Sequence, residues 1–243
     1  MLTRKQLPQF GYLNNIHIDI DELVRYCKAN RLLNESLYDD IKVSSNSTYK
    51  DFVIANEFCK ESFFKESGAP HMEGEKYKQL YLTEFDKRKK SDKVNLHNTT
   101  IFERTKRLNP NHPDYLPEAD ERNYGIPNSF VKGKIKNILK LFQSPLGRVR
   151  FAYLAPGFKI KPHVDYDPSY IVRYHIPLFT NVQCILGSIR NNSIRTINLP
   201  ADGRVYFINT GCKHWAENNS TESRIHLIVD VQDQLELKHL VEI

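Results

Sequence analysis

The residues best suited to chemistry in this 243-residue sequence lie between Pro162 and Arg224. Pro162-His163-Val164-Asp165 sets an imidazole and a carboxylate two residues apart, a spacing that puts both on one face of an extended segment. His214, arriving from a distant strand, completes a set of two histidines and one carboxylate. Such a set holds ferrous iron from one side and leaves coordination positions open for a bidentate co-substrate and for dioxygen. Arg224, ten residues beyond His214, is placed to pair with a carboxylate on that co-substrate once buried. Between them, Arg173-Tyr174-His175 puts Arg173 and His175 on a common strand face.

The His-x-Asp pair alone carries little weight. Nine His and 14 Asp predict about half such a pair by chance, and the sequence holds three. His17-Ile18-Asp19 precedes a helical pattern, where Asp19 or Asp21 reads as an N-cap or first-turn acid. His112-Pro113-Asp114 lies among Pro110, Pro113 and Pro117, an irregular loop. Only His163 and Asp165 fall in a run of strands with a second His and an Arg downstream. The whole constellation, rather than the dipeptide, reads as a 2-oxoglutarate-dependent oxygenase.

The elements that must position these residues follow from periodicity. Gln9 to Ile18 reads as extended. From Asp21 to Leu33, Leu23, Val24, Cys27, Ala29 and Leu33 recur at helical spacing behind an acidic start. Ser44 to Thr48 is a loop. Phe52, Ala55, Phe58, Cys59 and Phe63 predict a helix between Asp51 and Lys65 with a strand as competitor, and Gly68 to Gly74 breaks it. Tyr77 to Phe85 alternates as a strand. Ser91 to Pro127 is long, polar and proline-bearing, as a lid or substrate-recognition loop would be. Ser129 is expected to cap a short helix with Phe130, Val131, Ile135, Ile138, Leu139 and Phe142 as its stripe.

From Arg148 onward short strands and turns take over: Arg148 to Leu154, Phe158 to Val164, Tyr170 to Phe179, Val182 to Ile189, Arg195 to Leu199, Arg204 to Ile208 and Arg224 to Val231. Ala155-Pro156-Gly157 and Asn191-Asn192 mark turns between them. On the last strand, period two puts Arg224, His226, Ile228 and Asp230 on one face. This pattern predicts a mainly β sandwich or barrel with flanking helices.

Thirteen Tyr, 13 Phe and 40% hydrophobic residues describe a chain able to build a sizeable core. The expected organisation is an N-terminal α+β elaboration over residues 1–128, holding the substrate or lid region, and a catalytic core over 129–243, packed as one compact unit. Thirty-five Lys and Arg against 29 Asp and Glu give a net charge of +6, a solvated surface without a nucleic-acid motif. Lys87-Arg88-Lys89-Lys90 is an exposed element end or loop. The start lacks a signal-peptide core and no stretch is apolar enough to span a membrane, so cytoplasmic residence without a membrane partner is the default. Cys27, Cys59, Cys184 and Cys212 are scattered and expected to be free thiols.

From Gly147 to Gln232 an ordered series of segments adds a resemblance. Arg148-Val149-Arg150-Phe151 and Leu154-Ala155-Pro156-Gly157 precede Pro162-His163-Val164-Asp165. Arg173 to Leu178, Phe207-Ile208-Asn209-Thr210-Gly211, His214 and Arg224 to Val231 follow. The series resembles the aspartyl/asparaginyl β-hydroxylase family, whose small bacterial relatives include free-proline hydroxylases. The resemblance implies a double-stranded β-helix, the jelly-roll, cupin-like core of 2-oxoglutarate oxygenases, with iron inside one mouth. It implies that His163 and His214 bind Fe(II) and that Arg224 pairs with the distal carboxylate of 2-oxoglutarate. Arg173 and His175 match an R-x-H that lines the co-substrate pocket. The activity implied is hydroxylation of an amino-acid side chain, free or within a peptide, using O2 and releasing succinate.

Two departures bear on that activity. Animal members lack the carboxylate ligand, whereas Asp165 is present, and the sequence shows no counterpart of their membrane anchor and helical-repeat region, which points away from secreted domains as substrates. Ala152 falls where some members carry a Ser that helps hold the distal carboxylate.

Each residue also has a plainer reading. Asp167 competes with Asp165 as the ligand. Arg173 has a salt bridge inside the barrel as its alternative. His226 on the Arg224 face and Asn209 are candidates for steering the ligands from behind, against ordinary structural roles, and Trp215 beside His214 either packs against the site or plugs the barrel mouth. Arg148 and Arg150 share a side. The rival function is a catalytically idle barrel that binds or senses a small carboxylate, for which loss of ligands would be the expected sign.

Overall fold

The computed structural model describes residues 1–34, 37, 39–40, 77–90, 110–111, 113, 115, 117 and 120–243. The expected Ser44 to Thr48 loop, the helix between Asp51 and Lys65, the break at Gly68 to Gly74, and His112 with Asp114 lie outside the described residues. In chain order the elements are β1 (Phe10–His17), α1 (Ile20–Ala29), β2 (Asp39–Asp40), β3 (Tyr77–Tyr81), β4 (Thr83–Glu84), β5 (Ile126–Pro127) and α2 (Gly133–Leu139). Then come β6 (Leu146–Leu154), β7 (Lys159–His163), β8 (Val172–Phe179), β9 (Cys184–Arg190), β10 (Ser193–Asn198), β11 (Arg204–Ile208), β12 (Lys213–Asn218), β13 (Arg224–Val231) and β14 (Leu240–Glu242).

One sheet runs β14-β1-β11-β8-β13-β6-β3-β2 and a second runs β10-β9-β12-β7. The eight strands β6 to β13 thus divide between two facing sheets, with β6, β8, β11 and β13 in one and β7, β9, β10 and β12 in the other. This is the double-stranded β-helix expected from the sequence, a cupin-like jelly roll. Strands from before residue 128 extend its larger sheet: β1 pairs with β11 and β14, and β3 with β6.

Alternation along each strand sorts its side chains between two cores. On the outer face of the large sheet, Phe151, Tyr174, Phe207 and Leu227 pack against Leu23 and Cys27 of α1 and Ile135, Ile138 and Leu139 of α2. Each such fully buried apolar side chain contributes roughly 1.5–3 kcal/mol. Between the sheets, Phe10, Leu154, Tyr206 and Ile208 meet Leu186 and Ala216. All of β13 is buried, so Arg224, His226 and Asp230 face the interior of the sandwich without solvent.

Local signals account for the boundaries. Asp19 caps α1 by accepting from the Glu22 amide at 2.8 Å, with Asp21 and Glu22 in the first turn. Asn191 and Asn192 take φ of 49° and 63°, the left-handed pair that a two-residue hairpin between β9 and β10 requires. The second helix corrects one expectation. Its N-cap is Lys132, without a side-chain bond, and it begins at Gly133, so Ser129 does not cap it. Asn128 intervenes instead, its Oδ1 accepting from the Phe130 amide at 3.0 Å and holding that stretch in a turn. Cys27, Cys184 and Cys212 are buried free thiols. Residues 87–90 are exposed. Among the described residues no helix is long and apolar enough to cross a membrane.

Candidate metal and co-substrate site

β7 and β12 are hydrogen-bonded neighbours, and their register sets His163 directly opposite His214. Directly opposed residues share a face, so both imidazoles enter the space between the sheets, with ring centroids 4.3 Å apart. Asp165 lies just past the end of β7, its amide anchored to the Thr210 carbonyl at 3.0 Å. Its Oδ1 is 3.7 Å from His163 Nε2 and its Oδ2 is 3.9 Å from His214 Nε2. Two ligands bound at about 2.1 Å to one ion are at most about 4.2 Å apart, so both separations suit a single first-row cation. All three ligand atoms lie within 4.8 Å of one another.

Each ring is aimed from behind. His163 Nδ1 meets the Lys161 carbonyl at 2.7 Å and His214 Nδ1 meets the Cys212 carbonyl at 3.0 Å. A carbonyl can only accept, so each Nδ1 carries the proton and each Nε2 keeps a lone pair facing the other ligands. Burial and the neighbouring His163 push the His214 imidazole down to about 3, which keeps it neutral and able to ligate. Burial pushes the Asp165 carboxyl up, but Arg173, His163 and His214 outweigh it and hold the group ionised.

Asp167, the rival ligand, is committed elsewhere. It accepts from the Ser169 amide and hydroxyl at 3.0 and 2.9 Å and from the Arg4 amide at 3.3 Å. The carboxylate that faces the imidazoles is Asp165.

Arg224 also faces the space between the sheets, 3% exposed, with Nε and Nη1 buried and without a hydrogen-bond partner among the described residues. Desolvation lowers its pKa, and among the described residues no carboxylate stands beside it to offset that penalty. The fork of N–H groups on a guanidinium matches a carboxylate in geometry and charge. Next along β13, His226 Nδ1 lies 3.2 Å from His175 Nδ1. Its Nε2 is buried and unpartnered. Burial, followed by the charge of Arg224, depresses both imidazoles well below their usual range, so both are neutral.

Arg173 stands at the metal end of this interior. Its Nε and Nη2 grip Asp230 Oδ1 and Oδ2 at 2.7 and 3.0 Å, and its Nη1 donates to Asp165 Oδ2. Arg150 Nη1 reaches the same Asp230 Oδ2 at 2.8 Å. Asp230, a member of the Arg224 face with no role assigned from sequence, is therefore the buried counter-charge of two arginines. Alternation on β13 placed it facing inward, but only strand pairing names its partners. Two further inward groups escaped the sequence reading: Ser188, opposite His214 with an unpartnered buried hydroxyl, and Glu121, near Arg148 at 3.6 Å and Arg173 at 3.9 Å. Glu121 belongs to the polar stretch from Ser91 to Pro127, whose described end therefore packs beside the site. Arg148 lies over Tyr124 and Tyr81.

Asn209 and Trp215 make contacts away from the three ligands. Asn209 donates to the carbonyls of Arg4, Leu7 and Pro8 at 3.0, 3.3 and 3.1 Å, which fastens the N-terminal segment. Trp215 follows His214 and so points to the opposite face of β12, where its indole covers Gly187 and donates to Glu217 Oε1 at 2.9 Å.

Comparison with known proteins agrees with the region that builds this site. Residues 128–234 match the model of a family described as aspartyl/asparaginyl beta-hydroxylase. No curated protein matches. Among solved structures, an oxalate decarboxylase from Bacillus subtilis matches at 17% identity over 39% of this chain and 23% of its own, with a TM-score of 0.30. A non-heme monooxygenase, ThoJ, in a nickel complex matches at 12% identity over 36% of this chain and 44% of its own, with a TM-score of 0.31. A cupin domain from Bordetella pertussis matches at 17% identity over 38% of this chain and 88% of its own, with a TM-score of 0.29. The chain spans about a quarter of the length of the decarboxylase chain it matches.

Proposed function

We propose that this chain, whose residues 128–234 match the aspartyl/asparaginyl beta-hydroxylase family, is an Fe(II)- and 2-oxoglutarate-dependent oxygenase hydroxylating an amino-acid side chain, free or within a peptide. The observation that carries the reading is Arg224: a buried cation with two N–H groups that have no partner among the described residues, inside the same sandwich as a face of two histidines and one carboxylate.

His163, Asp165 and His214 would hold the metal through Nε2, one carboxylate oxygen and Nε2. Arg224 would take the distal carboxylate of 2-oxoglutarate. That carboxylate would supply the counter-charge that no described residue provides and relieve the desolvation of the guanidinium. His175 and His226, neutral and buried, would line the space beside Arg224 without adding a competing charge. When bound, iron and 2-oxoglutarate supply the oxidation, with decarboxylation to succinate coupled to insertion of one oxygen atom from O2 into a substrate C–H bond. The protein contributes the ligand geometry and the orientation of the co-substrate. Substrate recognition falls to the face near Glu121, Arg148 and Tyr124, at the end of the polar segment.

Calorimetric titration of 2-oxoglutarate into anaerobic, Fe(II)-loaded protein tests this. Binding that depends on the metal and is lost in Arg224→Ala is the expected result. Equal binding by wild type and Arg224→Ala, or none by wild type, would contradict it.

A further inference from the structure

Arg173 joins two systems that strand order keeps apart. Its guanidinium lies as a fork on Asp230, with Nε to Oδ1 at 2.7 Å and Nη2 to Oδ2 at 3.0 Å. Asp230 is fully buried and is held from its other side by Arg150 at 2.8 Å. A two-point grip fixes the plane of a guanidinium, so the direction of Nη1 is set by Asp230 rather than by whatever Nη1 meets. What it meets is Asp165 Oδ2. Arg150, Asp230, Arg173 and Asp165 therefore form one chain of alternating charge from β6 through β13 and β8 to the turn after β7.

Asp165 needs such support more than the other two ligands do. Both histidines sit on paired strands with Nδ1 tied to a carbonyl, whereas Asp165 follows the end of β7. Its two oxygens are also unequal. Oδ1 faces His163 Nε2 at 3.7 Å, while Oδ2, 3.9 Å from His214 Nε2, is the one engaged by Arg173.

We propose that Arg173 is a positioning residue for Asp165. By occupying Oδ2 it leaves one oxygen for the metal, so the second carboxylate oxygen does not close a coordination position that the co-substrate needs. Asp230 and Arg150 hold Arg173 in that pose. The inference rests on the metal-centre reading above, and it differs from a role for Arg173 in lining the co-substrate pocket, because its effect precedes co-substrate binding. Lysine is no substitute, since a single ammonium on a flexible stem cannot grip Asp230 at two points and still reach Asp165.

Anaerobic Co(II) titration without 2-oxoglutarate, followed by visible absorption, separates these roles because band intensity reports coordination number. Arg173→Gln should weaken Co(II) binding by about tenfold or more, the usual cost of losing a group behind a ligand, and change the band intensities. Arg173→Lys, which keeps the buried charge beside Asp230 should Arg173→Gln not fold, should show the same spectral change. In an Asp165→Ala background, Arg173→Gln should add nothing. Wild-type affinity and spectrum in both Arg173 variants, with only 2-oxoglutarate affinity lost, would overturn the proposal in favour of pocket lining. An equal loss in the Asp165→Ala background would overturn it in favour of a general structural role. If wild type binds no Co(II), or His163→Ala and His214→Ala bind it as wild type does, the metal centre itself fails and the proposal with it.

Discussion

His163 and His214 face each other across adjacent strands with ring centroids 4.3 Å apart, and each Nδ1 is tied to the carbonyl two residues before it, Lys161 and Cys212. Two imidazoles locked in the same tautomer, with both Nε2 lone pairs turned toward one carboxylate, are arranged for a cation. His163→Ala or His214→Ala should lower Fe(II) affinity by about a hundredfold or more, with little change in far-ultraviolet circular dichroism. Unchanged affinity in either variant would count against the centre.

Arg224 leads to a less intuitive expectation. An unpaired buried charge destabilises the protein that carries it, so Arg224→Met should raise the melting temperature of the co-substrate-free protein while abolishing 2-oxoglutarate binding. A gain of about 1–3 kcal/mol is the expected scale. A lower melting temperature would mean that the guanidinium has a partner in solution.

Acidification acts through the buried imidazoles. His175, His226 and His214 have folded pKa values depressed below the ordinary histidine value near 6.5, so they stay neutral in the folded protein and take up protons on unfolding. Their contribution is full above about pH 6.5 and is lost as pH falls from there toward the folded values, by on the order of 1 kcal/mol per pH unit for each histidine. Denaturant titration of metal-free protein at pH 7.5 and 5.5 should show the loss. Replacing His226 with Asn should flatten it.

Trp215 tests strand parity. A Cβ on Gly187 would meet its ring at 2.0 Å, so Gly187→Ala should cost about 1–3 kcal/mol in chemical denaturation. Trp215→Phe should leave metal affinity unchanged, because the indole and the His214 ring occupy opposite faces of β12. A Trp215→Phe variant with weakened metal binding would contradict that placement.

The parts legible in the sequence are those where one strand carries the information. Arg224 to Val231 shows its alternation in the residues themselves, and the structure keeps those bounds. The spacing of His163 and Asp165 fixes a common direction, and His214 and Arg224 complete the set. What was not legible depends on pairing between strands. Asp230 is an unremarked acid until β8 and β6 bring Arg173 and Arg150 onto it. Asn209 looks like a site residue until the N-terminal segment returns to take its amide. Trp215 is adjacent to His214 in sequence, yet period two sends the two to opposite faces of β12. The joining of β1 and β14 beside β11 follows from a pairing between chain ends that no local pattern announces.

The central claim is oxygen-dependent turnover of 2-oxoglutarate at the centre built by His163, Asp165 and His214. The most direct measurement is succinate formed after anaerobic, Fe(II)-loaded protein with 2-oxoglutarate is exposed to oxygen, run beside His163→Ala, His214→Ala and Arg224→Ala. Succinate from wild type, with each variant reduced to background, is the predicted result. Succinate production unaffected by all three substitutions, or none from wild type across free amino acids and peptides as substrates, would contradict the account.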